Sequence, residues 1–93
     1  MIKLIESQEG RKVYKGYDYI IRESKYCFDV VAEAKEENKY LPRIYAERNK
    51  EEKIIDFTIQ TTSYGSLNSE EIKKMIQGYE AALKVVEELR KMF

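Results

Sequence analysis

Residues 68–93 read NSEEIKKMIQGYEAALKVVEELRKMF, and this stretch decides the fold. Asn68 is a good N-cap, Glu71 stands three residues later to complete a capping box, and Leu67 with Ile72 has the spacing of a hydrophobic staple. Glu70 and Glu71 lie at the start and Arg90 and Lys91 at the end, each matching the sign of the helix dipole there. Glu70/Lys74, Glu80/Lys84 and Glu87/Lys91 are i,i+4 pairs in the favourable orientation. The spacing predicts a helix over 68–93, roughly 37 Å long at 1.5 Å per residue.

Upstream the hydrophobic period changes from 3.6 to two, which predicts strands within 1–61 and a loop over 62–67. Ile2 and Leu4 suggest a short first strand ended by Gln8-Glu9-Gly10, and Val13 to Glu23 is dense in β-favouring residues, interrupted at Gly16. Ser24-Lys25 reads as a turn before a strand from Tyr26 to Lys35, and Glu36 to Lys39 reads as another turn. Tyr40 to Arg48 with Pro42 near its start, a charged turn at Asn49 to Glu52, and Lys53 to Thr61 complete the set. Phe28, Val30, Ile55, Phe57 and Ile59 are expected to face inward; Asp29, Val31, Glu33, Tyr45, Asp56, Thr58 and Gln60, with Ile20 and Ile54, outward. Connections this short join antiparallel neighbours. The expectation is a single α+β domain over 1–93: an antiparallel meander of four to five strands with one long C-terminal helix packed on one face.

With residues placed about 100° apart, Ile72, Met75, Ile76, Tyr79, Ala82, Leu83 and Val86 form the main apolar stripe of the helix, expected to cover the sheet. Beside it lies a flank of Gly78, Val85, Leu89 and Met92, with Ala81 at its border. The apolar arc is wider than one-sided packing requires. Either the sheet or the first strand wraps the flank, or Gly78, Val85, Leu89, Met92 and Phe93 form a homodimer seam or a partner's footprint. Gly78 favours the seam, because a mid-helix glycine costs ~1 kcal/mol against alanine and calls for a close-approach reason. The last turns, with Leu89, Met92 and Phe93, are expected to overhang an eight-residue strand of ~27 Å.

The composition removes chemistry. The 93 residues hold no His and one Cys, Cys27, so a histidine base, a histidine-ligated metal, an internal disulfide and a CxxC pair are all excluded. Asp29 and Asp56 could face each other across strands, but nothing brings a third ligand to them. The loop Thr61 to Ser69 has hydroxyls and a glycine before a helix N-terminus, ingredients of an anion site, but no cation and no phosphate-loop pattern. No catalytic constellation, cofactor or metal is expected, and the chain is read as not an enzyme. MIKLIESQEG lacks a signal-peptide core and no 18 apolar residues run together, so a cytoplasmic protein without membrane contact is expected.

The 17 basic and 17 acidic residues are evenly spread, 12 and 12 over residues 1–66 and 5 and 5 over 67–93. Nucleic acid is therefore disfavoured as a partner. The alternatives kept are a nucleic-acid-associated protein using Arg11, Lys12 and Lys15 beside tyrosines, and a small ligand-binding domain at the 61–69 loop. The leading expectation is a non-enzymatic interaction module acting by protein–protein contact, with another protein or with itself as a homodimer. In size and style, though on no specific residues, the chain resembles the small accessory proteins of phages and mobile elements, some of which inhibit host defence enzymes by occupying a surface.

Overall fold

The computed structural model describes residues 1–33, 40–54, 56–61 and 63–93. Six strands precede one helix: β1 (Lys3–Gln8), β2 (Arg11–Gly16), β3 (Tyr19–Ser24), β4 (Cys27–Ala32), β5 (Ile44–Glu47), β6 (Thr58–Ile59) and α1 (Ser69–Met92). The strands form one antiparallel sheet in the order β1-β2-β3-β4-β5-β6. This is the expected α+β meander and helix, with six strands rather than four to five. The expected turn over Glu36 to Lys39, the strand end at Lys35, and the inward Ile55 lie outside the described residues.

The extra strand comes from the Val13 to Glu23 stretch, which folds as a hairpin and not as one interrupted strand. Tyr17 and Asp18 take φ of 53° and 63°, the twin left-handed pair of a two-residue hairpin turn. The Asp18 carbonyl then accepts the Glu33 amide at 2.8 Å, which holds the turn against the end of β4. Gly16 serves a different purpose. A Cβ there would lie 2.6 Å from the Met1 carbonyl oxygen and 2.9 Å from the Ile2 Cα, so the bare backbone lets the N-terminal segment pass.

Register sets the core. Tyr14, Ile21, Val30, Ile44 and Ile59 are cross-strand neighbours in one row, and Glu23, Phe28 and Ala46 lie in the next row on the same face. That face carries the helix, and Tyr14, Tyr19, Ile21, Phe28, Val30, Ile44, Ala46 and Phe57 are buried beneath it. The Tyr19 hydroxyl, deep inside, donates to the Pro42 carbonyl at 2.6 Å, so its one polar atom is satisfied. The opposite face holds Ile20, Asp29, Val31 and Tyr45 as expected, together with Arg22, and Asp29 accepts from Arg43 at 2.6 Å. Ile54 departs from its expected place and packs against the core.

The helix forms where expected, with Asn68 as N-cap and both halves of the capping box made with Glu71. Its rotation is a correction. The buried residues are Gly78, Ala82, Val85, Val86 and Leu89, whereas Ile72, Ile76 and Leu83 of the expected core stripe are exposed. The physical reason is shape. The sheet contributes the bulk, with Tyr14, Tyr19, Phe28 and several isoleucines, and the helix meets it with small side chains that let the backbones approach. Gly78 is the extreme case: a Cβ there would sit 2.5 Å from the Tyr40 carbonyl oxygen, so its close-approach reason lies within the chain.

The overhang is likewise at the other end. All five buried helix residues lie between 78 and 89, and none between 69 and 77. The first two turns therefore project past the core, steadied by Tyr40, whose hydroxyl donates to Glu71 at 2.7 Å. Among the described residues, no helix is long and apolar enough to cross a membrane.

Candidate interaction surface

Of the five residues proposed from sequence as a seam, Gly78, Val85 and Leu89 are sealed within the single chain, the last two with no exposure at all. Phe93 keeps 44% of its surface but packs edge-on against Phe28, with ring centroids 4.8 Å apart, and against Tyr14 at 5.8 Å. Met92 is 40% exposed. The seam at Gly78, Val85, Leu89, Met92 and Phe93 is thus corrected: its centre is core.

The excess apolar surface lies on the adjacent flank of the rod, about 100° round from the buried face. Ile72, Ile76 and Leu83 are 41%, 50% and 55% exposed, with half-buried Tyr79 between them. The spacings 72, 76, 79 and 83 run four, three, four, the alternation that keeps side chains on one seam of a helix. Arg90, 18 residues from Ile72 and so on the same azimuth, pairs with Asp56 at 3.1 Å just before β6. The seam therefore looks out beyond the β6 edge of the sheet. Lys73, Glu80 and Glu87 border it on the solvent side, each following a seam position or its heptad equivalent by one residue. Sequence reasoning had this stripe in hand and assigned it to the core; its exposure follows from the small-residue contact that only the packed structure displays.

The other candidate chemistries come apart. Asp29 and Asp56 do not face each other: Asp29 lies on the outer face with Arg43 and Arg22, Asp56 beside Arg90. The Arg90 guanidinium, then the Phe57 amide, hold the Asp56 carboxyl below its usual range. Around the 61–69 loop an open groove of about 300 Å³ is lined, among the described residues, by Tyr40, Tyr64, Ser66, Leu67 and Glu71, with a carboxylate and no cation. Lys15 pairs with Glu33 at 2.5 Å, and Tyr14 and Tyr19 are buried, so neither ring is free to stack on a base. Arg11 and Lys12 line an open groove of about 320 Å³ with Lys25 and Arg48, but Glu23 and Glu52 share it. Arg48 is committed there to Glu23 at 2.6 Å and lies over the Phe28 ring.

Compared with protein-family models, curated proteins and solved structures, the chain matches none.

Proposed function

We propose that the chain is a non-enzymatic interaction module that works by offering the face of α1 formed by Ile72, Ile76 and Leu83 to another protein. One observation carries this reading: three large aliphatic side chains stand half exposed in a row on a helix whose adjacent face already has its core. Contiguous apolar surface of this kind is costly to leave wet and marks contact sites. The row follows the seam spacing, so the matching partner element is an amphipathic helix or a shallow apolar groove. An accessory or inhibitor role of the phage and mobile-element type fits a chain this small, since inhibition by occupancy asks only for a surface.

The test is capture from the native cell with the wild type, Ile76→Glu and Glu6→Gln, followed by calorimetry with the purified partner. A partner bound by the wild type and Glu6→Gln but lost with Ile76→Glu supports the reading. Equal binding by all three removes the helix face from the account.

A further inference from the structure

We infer that the face of α1 is occupied by a second copy of this chain, the two helices running antiparallel about a twofold axis level with residues 77 and 78. This rests on the reading of that face as a protein contact and names its partner. The seam is its own complement. About that axis Ile72 meets the partner's Leu83, and Ile76 meets the partner's Tyr79, so both layers are apolar and each occurs twice.

The bordering charges select the direction. In an antiparallel pair the residues that follow the seam positions face one another across the contact. Lys73 lies within two residues of the level of the partner's Glu80, an axial offset of ~3 Å at 1.5 Å per residue. The twofold axis repeats that attraction, giving two opposite-charge pairs. A parallel pair would set the charged positions against the partner's Met75 and Ala82 and gain neither attraction. Lys73 is exposed and spans 3.4 Å to Glu70 within its own helix, a contact loose enough to be exchanged. The balanced total of 17 basic and 17 acidic residues removes long-range repulsion between copies. The projecting first turns, with no core of their own, also gain cover: each lies against residues 79–83 of the other copy.

Sedimentation equilibrium up to high micromolar concentration tests this. The wild type is expected to dimerise, and Leu83→Glu and Ile76→Gln to be monomeric with unchanged helical circular dichroism. Lys73→Glu and Glu80→Lys are each expected to weaken self-association roughly tenfold, because two attractions become two repulsions. Mixed together, those two variants should form a heterodimer tighter than either homodimer, since every cross-pair is then Glu against Lys. A monomeric wild type overturns the inference; if Ile76→Glu still abolishes capture of another protein, the broader reading survives. A dimer indifferent to Leu83→Glu overturns the inference as well, and the broader reading then falls only if Ile76→Glu also captures the partner as well as the wild type does. A dimer lost with Leu83→Glu but without preferential mixing of the charge variants overturns the antiparallel arrangement.

Discussion

The carboxylate of Glu88, in the last turns of α1, accepts the backbone N–H of Ile2 at 3.0 Å, a contact between residues 86 positions apart. Ile2 is buried, and the backbone leading to it passes over Gly16, so this one bond fastens the chain's start to the helix and to β2 together. Replacing Glu88 by alanine is expected to cost about 1 kcal/mol, as for a single part-exposed hydrogen bond to a charged acceptor. In a domain of this size that lowers the melting temperature by roughly 4–8 °C. Amide exchange at Ile2 should quicken in step; unchanged protection there would show that the bond is not formed in solution.

Acid should weaken the fold through the same group. The Ile2 amide, with help from the Tyr17 hydroxyl, holds the Glu88 carboxyl below its ordinary 4.5, and Asp56 is lowered by Arg90. A carboxylate lowered on folding adds stability above its unfolded value, and that addition is lost as pH falls through the folded value. Stability measured by denaturant should therefore be level near neutrality and decline once pH drops below 4.5. The decline should be shallower in Glu88→Gln.

Alkali is expected to act through Tyr14. Burial, then the hydrogen bond from its hydroxyl to Glu23, pushes its phenol up to about 12, and burial raises Tyr19 further still. A group raised on folding stabilises fully below its unfolded value of 10.0 and loses that contribution as pH climbs through the folded one. Ultraviolet titration should show these two of the eight tyrosines ionising late, together with loss of structure. Ionisation of all eight near pH 10.0 with the fold intact would contradict the buried setting of both rings.

The rotation of α1 separates residues that look alike in sequence. Leu89→Ala should cost 2–5 kcal/mol, the usual range for a fully buried leucine. Leu83→Ala, measured at concentrations where the chain is monomeric, should change stability by no more than about 0.5 kcal/mol. Denaturant midpoints of the two variants measured side by side decide the matter; equal losses would mean that the helix sits differently on the sheet.

Gly78→Ala provides an independent check. On an exposed helix this change gains ~1 kcal/mol from propensity. Here the new methyl meets the Tyr40 carbonyl oxygen at 2.5 Å, backbone two residues ahead of the fully buried Pro42. Overpacking of this kind costs typically 1–3 kcal/mol, so the net effect should be destabilising. A stabilised variant would mean that the Tyr40 segment lies farther from the helix.

The helix could be read from residues 68–93 because its signals are local: a cap, a box, a period and the sign of charge at each end. The meander could be read from short connections. The Tyr17-Asp18 turn could not, since neither residue is a glycine and the left-handed pair is imposed by β2 and β3 pairing around it. Hydrophobicity alone pointed Ile72, Ile76 and Leu83 inward. What decides the orientation is the volume already present on the sheet: against Tyr14, Tyr19 and Phe28 the helix sets Gly78, Ala82 and two valines, with Leu89 as its one large side chain in the core. The exposed seam was therefore visible as residues and invisible as surface.

Each strand after β1 pairs with the one before it, and the helix that covers the core face follows them. A ribosome making this protein thus releases each hairpin ready to zip as it emerges, the kind of nearby pairing that forms fast. The greasy side of the finished ribbon, from Tyr14 to Ile44, nonetheless stays bare until residues 78–89 are synthesised and clear the exit tunnel. Through that interval the nascent chain is at its most vulnerable to clumping, and the interval lasts as long as translation of everything between β5 and the second half of α1.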